Sequence, residues 1–239
     1  MQRPFAVFDI DGTIIRWQLL HATIDALGKQ QHIPDEIYQN IRKARLAWKQ
    51  RTETSGFDTY EKELVKAIRP IMKGLPEAIF VQAAQTVFDK HKDQTYVYTR
   101  NLIAELKKKN YLLFAISGSQ SEAVSLLADY YGFDDYMASH YERTNGTLTG
   151  EVQLTVGSKD RLLTTLAAKH QASFSGSIAV GDSESDIAML ATVEHPVAFN
   201  PTKKLFAHAR AHQWPIVVER KNVVYQLEPT HGDYILANA

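Results

Sequence analysis

The sequence predicts an α/β protein with a Rossmann-like three-layer core, a mostly parallel sheet and an inserted all-helical cap. Apolar segments at 5–10, 111–116 and 177–180 are typical of strands that are buried on both faces. Helical periodicity follows each segment, and repeated strand–helix–strand units imply parallel strands with helices on both sides. Between the first two strands, residues 16–91 contain amphipathic helical segments and little strand signal.

These features divide the chain into a core of residues 1–15 and 92–239 and a helical cap of residues 16–91. Pro34 and Pro76 suit helix starts within the cap. A helical bundle that follows directly after a turn with carboxylates is well placed to act as a lid. The alternative is an additional helical layer with no moving part.

The remaining elements of the core are predicted from short local patterns. Ser119 and Glu122 have the spacing of a capping box, which predicts a helix start after the second strand. Asn145 and Gly146 predict a β-hairpin at the edge of the sheet, over residues 141–152. Ser158 is the expected N-cap of a further helix. Residues 196–199 and 215–218 suit short strands, and the sequence beyond residue 219 predicts no element.

The composition limits the possible partners. Lys and Arg total 27, as do Asp and Glu, so no net charge favours nucleic acid or a membrane surface. The chain has no cysteine, which excludes thiolate nucleophiles and cysteine-bound zinc. No apolar segment reaches the length of a membrane span, and none near the start suits a leader. We therefore expect a cytoplasmic protein without nucleic-acid or membrane partners, with monomer and dimer both open.

Four carboxylates follow predicted strands. Asp9 and Asp11 end the first strand, whereas Asp182 and Asp186 follow the third. The carboxyl ends of parallel strands meet at one edge of a sheet, where α/β folds bind ligands. Like charges about 4 Å apart repel by several kcal/mol at a dielectric near 20, so a cation is expected. Oxygen-only ligands favour Mg²⁺. The alternative is that residues 11–13 form an ordinary turn.

Other residues suit a phosphate group at the same edge. Ser117 and Gly118 end the second strand, where a following helix would present free backbone N–H groups to an anion. Lys159 lies in the first turn of its helix, where the dipole disfavours a cation, which suggests a nearby anion. In such a site Asp9 would attack phosphorus, and Asp11 would serve first as acid and then as base.

Four segments together resemble the haloacid dehalogenase-like hydrolases. They are residues 8–13 (Phe-Asp-Ile-Asp-Gly-Thr), 116–119 (Ile-Ser-Gly-Ser), Lys159 and 181–186 (Gly-Asp-Ser-Glu-Ser-Asp), in the family's order. The pattern is most similar to the phosphoserine phosphatase-like subclass, whose helical cap lies between the first two motifs. The resemblance implies a phosphatase with Asp9 as nucleophile and Asp11 as acid/base. It assigns magnesium to Asp9, the Asp11 carbonyl and Asp182, metal-shell support to Asp186, and phosphate contacts to Thr13, Ser117, Gly118 and Lys159.

The substrate is less well defined by the resemblance. The subclass usually has Glu where this chain has Gln18, and a cap arginine where a loose alignment gives Lys62. Its second motif commonly has glycine at the position of Ser119. We therefore expect a small phosphorylated metabolite of undetermined identity, with Arg16, Gln18 and Lys62 as candidate contacts.

Two other functions are compatible with the same residues. A phosphotransferase or mutase would pass the phosphoryl group from Asp9 to another alcohol. A binding module would sense phosphorylated metabolites without turnover. His208 and His212 are one helical turn apart, and without a third ligand they are interpreted as a solvated helix face.

Overall fold

The computed structural model describes residues 2–51, 56–221, 223–231 and 233–237. The strands are β1 (Pro4–Phe8), β2 (Leu112–Gln120), β3 (Asp135–Thr144), β4 (Thr147–Gln153), β5 (Ser173–Gly181), β6 (His195–Phe199), β7 (Ile216–Arg220), β8 (Val223–Thr230) and β9 (Asp233–Leu236). The helices are α1 (Leu19–Lys29), α2 (Asp35–Gln50), α3 (Gly56–Met72), α4 (Glu77–His91), α5 (Val97–Lys108), α6 (Ser121–Tyr131), α7 (Lys159–Lys169), α8 (Ile187–Leu190) and α9 (Lys203–Ala211).

The strands form one sheet in the order β4-β3-β2-β1-β5-β6-β7-β8-β9. All pairs from β3 across to β7 are parallel, and antiparallel pairs occur only at the two ends. Val7 in β1 is paired with Phe114 of β2 on one side and Ala179 of β5 on the other. The prediction of a mainly parallel α/β fold is confirmed.

The chain divides into two compact units. The first unit contains Met1–Gln18, Lys90–Ser139 and Leu154–Ala239. Its core is built on β1, whose residues from Phe5 to Phe8 are fully buried. Side chains of α7, α8 and α9 pack on this sheet, among them Leu163, Met189 and Leu205. A central strand with both faces covered explains the continuous apolar run in the sequence.

The second unit contains Leu19–Asp89 and His140–Gln153. Helices α1 to α4 form its core through residues such as Ile24, Leu64 and Phe80. The predicted hairpin of residues 141–152 was expected in the core domain, but the structure groups it with these helices. The reason is burial of Tyr141 and Leu148 in the same apolar cluster, with Tyr141 and Phe80 ring centroids 5.3 Å apart. The second unit is therefore not built from helices alone.

The predicted capping box at Ser119 was wrong. Strand β2 continues to Gln120, and α6 begins at Ser121 without a side-chain cap. Gln120 is paired with Ser139 of β3, and the backbone N–H of Ser119 donates to Ser117 Oγ at 3.0 Å. Strand pairing thus takes precedence over the local helix-start pattern.

The residues beyond position 219 form β8 and β9, which the sequence did not predict. Neither strand contains a buried residue, so both lack the alternation of buried apolar and exposed polar residues by which a strand is recognised. None of the helices in the described part of the chain has the length and apolar character needed to cross a membrane.

Close packing between α1 and α2 requires glycine at position 28. A Cβ built on Gly28 would lie 2.3 Å from Cδ2 of the buried Tyr38 ring. We predict that Gly28→Ala lowers the free energy of unfolding by about 1–3 kcal/mol through overpacking, although alanine is the better helix former. In a Tyr38→Ala background the same change should be neutral or stabilising. Urea denaturation of the four proteins in this cycle tests the prediction, and a stabilising Gly28→Ala in the parent would contradict it.

Candidate active site

The loop after β1 carries Asp9 and Asp11 at the carboxyl edge of the sheet. The Asp9 N–H donates to the Val180 carbonyl of β5 at 3.0 Å, and the Gly12 N–H donates to the Ile15 carbonyl at 2.9 Å. Gly12 has φ +83°, and a Cβ there would lie 2.2 Å from Asp182 Oδ2. Glycine is required both by the backbone conformation and by the approach of Asp182.

Strand β5 ends at Gly181 and delivers Asp182 and Asp186 to the same edge. Asp186 Oδ2 accepts hydrogen bonds from the N–H groups of Asp182 (3.1 Å) and Ser183 (3.0 Å) and from the Ser183 hydroxyl (3.2 Å). A Cβ on Gly181 would lie 2.5 Å from the Asp186 Cβ, so this turn also depends on glycine. Asp186 is fully buried and orders the loop that holds Asp182.

Lys159 connects these two loops from the start of α7. Its Nζ donates to Asp9 Oδ1 and to Asp186 Oδ1, each at 2.6 Å, and the residue is 2% exposed. The anion that the sequence suggested for this lysine is therefore a pair of carboxylates. Burial lowers the pKa of Lys159, but Asp186 and Asp9 raise it more, so the pKa lies above its usual value.

Three carboxylates form a group that suits a metal ion. Asp9, Asp182 and Asp186 each offer an oxygen within 4.8 Å of the others. Burial raises the pKa of Asp9 to about 7, Asp186 and Asp11 add to the rise, and Lys159 opposes it. Burial and the charges of Asp9 and Asp186 also raise the pKa of Asp182. This shortage of positive charge among oxygen ligands fits a hard divalent cation such as Mg²⁺.

The three carboxylates differ in how many of their oxygens already accept hydrogen bonds. Both oxygens of Asp186 accept hydrogen bonds, from Lys159 and from the 182–183 loop. No residue in the described ranges donates a hydrogen bond to the second oxygen of Asp9 or to the side chain of Asp182. Asp9 and Asp182 are thus better placed to hold a metal directly, with Asp186 supporting the loop.

Ser117 lies beside Asp11 at the end of β2. Its hydroxyl donates to Asp11 Oδ2 at 2.9 Å. Two residues that the sequence did not single out fix this turn: Thr155 Oγ1 donates to the Ser117 carbonyl at 2.6 Å, and Ser139 Oγ donates to the Gly118 carbonyl at 2.8 Å. No sequence signal marks them, because isolated serine and threonine residues have no characteristic spacing to backbone acceptors distant in sequence.

Thr13 is fully buried within the loop that carries Asp11. Its hydroxyl has no hydrogen-bond partner in the described part of the chain. Its carbonyl accepts a hydrogen bond from Thr99 Oγ1 of α5 at 2.9 Å, so the Thr13 backbone holds the loop.

The structure places the remaining candidates in both units. Arg16 forms an ion pair with Glu219, Gln18 is half-buried at the end of the first unit's opening segment, and Lys62 is exposed on α3 of the second unit. His208 and His212 stack on each other with ring centroids 4.0 Å apart, and no third metal ligand joins them within the described residues.

Comparison with known proteins places this site in a family. A family model of haloacid dehalogenase-like hydrolases matches residues 6–191, which include every acidic residue of the site. The chain belongs to the haloacid dehalogenase-like hydrolases. A phosphoserine phosphatase of Streptococcus thermophilus is 28% identical over 197 residues, covering 81% of this chain and 82% of the relative. The phosphoserine phosphatase of Wolinella succinogenes is 29% identical over 223 residues, covering 91% of this chain and 95% of the relative.

Solved structures agree on the fold of this hydrolase. One described as a phospho-aspartyl intermediate analogue of phosphoserine phosphatase has a TM-score of 0.65 at 20% identity, covering 93% of this chain and 96% of that one. A protein of unknown function from Bordetella pertussis has a TM-score of 0.69 at 18% identity, covering 90% and 98%. The family match and the relatives show a phosphatase, a phosphoric monoester hydrolase of the phosphoserine phosphatase-like subclass, and the solved structures agree with its fold.

The raised pKa of Asp9 predicts a pH-dependent loss of stability in metal-free protein. Between its ordinary value of 3.8 and about 7, the folded chain keeps a proton that the unfolded chain has lost. The contribution of Asp9 to the free energy of unfolding therefore falls as pH rises through this window, by on the order of a few kcal/mol. Mg²⁺ should reduce the fall, because the cation takes the place of the proton.

Urea denaturation of the parent and Asp9→Asn in chelator, at several pH values across the window, measures this contribution. The variant is the required reference because buried His21, with its pKa lowered to about 4, changes stability in the opposite direction in both proteins. The free energy of unfolding of the parent minus that of the variant should fall as pH rises, and a rise in this difference would contradict the prediction.

Proposed function

We propose that the chain is a magnesium-dependent phosphatase that hydrolyses a small phosphomonoester through an aspartyl-phosphate on Asp9. The observation that carries the proposal is Lys159, which binds one oxygen of Asp9 at 2.6 Å while the other oxygen accepts no hydrogen bond from the described residues. A carboxylate can attack an anionic phosphate only where nearby cations offset the shared charge. This arrangement holds the nucleophile still and leaves its reactive oxygen available.

In the first step the available oxygen of Asp9 attacks phosphorus, and the bond from phosphorus to the ester oxygen breaks. Asp11 gives its proton to that oxygen as the alcohol leaves. Ser117, whose hydroxyl donates to Asp11 Oδ2 at 2.9 Å, orients the acid. Lys159 and the backbone of Gly118 are the groups of this chain that would balance charge on the phosphoryl oxygens, with Thr13 supporting the loop. Ser117 would join them only by turning its single O–H from Asp11 to the phosphoryl group.

In the second step Asp11, now ionised, takes a proton from a water molecule whose oxygen attacks phosphorus. The bond between phosphorus and Asp9 breaks, inorganic phosphate leaves, and both carboxyl groups return to their starting states. One side chain thus acts as acid and then as base.

Asp9, Asp182 and the Asp11 carbonyl would hold Mg²⁺, with Asp186 supporting them. When bound, the ion would neutralise carboxylate and phosphate charge and help to orient the phosphoryl group.

Turnover of a panel of small phosphomonoesters tests the proposal, with Mg²⁺ or chelator. We expect release of free phosphate without an added acceptor, dependence on Mg²⁺, and a loss of at least about a thousandfold in Asp9→Asn. Asp129→Asn on the exposed face of α6 is the matched control and should keep parental activity. Turnover that survives chelator and Asp9→Asn would contradict the proposal. Phosphoryl transfer to an alcohol without free phosphate would instead favour a phosphotransferase.

The residue at position 18 bears on whether the substrate carries an amine. The relatives named as phosphoserine phosphatases belong to a subclass that usually has Glu there, and an amide cannot pair with a substrate ammonium as a carboxylate does. We predict that Gln18→Glu raises kcat/KM for phosphoserine about tenfold relative to a phosphomonoester without an amine. Gln18→Ala serves as the control for loss of the amide. An equal change on both substrates would show that residue 18 does not contact the amine.

A further inference from the structure

Another buried carboxylate, that of Glu219 on β7, lies outside the group of Asp9, Asp182 and Asp186. The side chain of Glu219 is 1% exposed. Its Oε1 accepts a hydrogen bond from Arg16 Nη2, and its Oε2 accepts the backbone N–H of Tyr98 at 2.9 Å. The Glu219 N–H donates to Asn200 Oδ1, also at 2.9 Å. Both carboxylate oxygens are therefore paired, each with a different segment of the first unit.

The two segments that Glu219 joins also pair with each other. The Arg16 N–H donates to the Gln94 carbonyl, and the Tyr96 N–H donates to the Ile14 carbonyl, both at 3.0 Å. The guanidinium of Arg16 lies over the Tyr96 ring, 4.9 Å from its centroid. Glu219 thus binds two chain segments to β7, through Arg16 and Tyr98. Both residues lie near positions in the sequence where the chain passes between the two units.

Glu219 also supplies a cap that α5 lacks in its own sequence. Tyr96 is the N-cap residue of α5 and makes no side-chain capping bond. The N–H of Tyr98 is among the first-turn donors that no residue within the helix can satisfy. A carboxylate at a helix N-terminus is favourable, so one buried acid stabilises the start of α5 and holds Arg16.

Both held elements contact the loop that carries Asp11. The Gly12 N–H donates to the Ile15 carbonyl at 2.9 Å, one residue before Arg16. From α5, Thr99 Oγ1 donates to the Thr13 carbonyl at 2.9 Å. The loop is consequently fastened on both sides by elements that converge on Glu219.

We propose that Glu219 is a positioning residue that sets the placement of Asp11 through Arg16 and α5. This inference rests on the proposed function, in which Asp11 protonates the leaving oxygen. Of this ion pair only the Glu219 side chain is buried, at 1% exposure against 41% for Arg16, and removing both charges together avoids leaving a buried carboxylate without its partner. Removing the pair while keeping the fold can therefore separate positioning from stability.

The test compares kcat/KM of Glu219→Gln on an alkyl phosphate and on p-nitrophenyl phosphate. The alkyl leaving group needs the proton from Asp11, whereas nitrophenolate leaves readily without it. We expect about tenfold greater loss on the alkyl phosphate than on the aryl phosphate. Glu105→Gln on α5 is the matched control. It removes an exposed ion pair with Lys109 and should leave kcat/KM unchanged on both substrates.

The double variant Arg16→Met/Glu219→Met covers the case in which Glu219→Gln folds poorly. It leaves the Tyr98 N–H without its acceptor, so a lower melting temperature is expected, and the folded protein should still show the greater loss on the alkyl phosphate. Equal losses on the two substrates, or parental values in the folded double variant, would overturn the inference while leaving the proposed function intact. A parent protein without Mg²⁺-dependent turnover would overturn the proposed function as well.

Discussion

The structure of the site depends on the ammonium group of Lys159, which lies between the carboxylates of Asp9 and Asp186 at 2.6 Å from each. All three groups are buried, and an unpaired charge in such a place costs several kcal/mol. The lysine therefore fixes the distance between the loop after β1 and the loop after β5. The single positive charge of Lys159 does not balance the carboxylates of Asp9, Asp182 and Asp186, and this remaining negative charge is the electrostatic basis for metal binding.

The backbone makes this convergence possible. A side chain at position 12 would collide with Asp182, so the loop after β1 can approach the loop after β5 only with glycine there. A side chain at position 181 would collide with Asp186, so the loop after β5 can fold back on its own strand end only with glycine there. The second layer of contacts is polar and distant in sequence. Thr155 fixes the Ser117 turn from before α7. The chemistry proposed for the site follows from this rigidity, because proton transfer and nucleophilic attack require atoms to be held within a fraction of an ångström.

Much of the fold was predictable because buried parallel strands and amphipathic helices leave strong periodic patterns. Asp9 and Asp182 were predictable because each follows such a strand, and Lys159 because its charge opposes the helix dipole. Thr155 and Glu219 were not, since their partners are backbone groups or an arginine far away in the sequence. The grouping of the β3–β4 hairpin with the second unit was equally hidden, because an Asn-Gly turn specifies a hairpin but not the surface on which it packs.

Chemical trapping measures most directly whether the phosphoryl group passes through Asp9. Asp11→Asn should allow attack on an aryl phosphate but slow hydrolysis of the intermediate, because the base is lost. After acid quench of a single turnover, we expect a phosphoryl group on the peptide that contains Asp9, removable by hydroxylamine as expected for an acyl phosphate. Phosphate release by that variant without phosphorylated Asp9, or a phosphoryl group on another residue, would show that the phosphoryl group does not pass through Asp9.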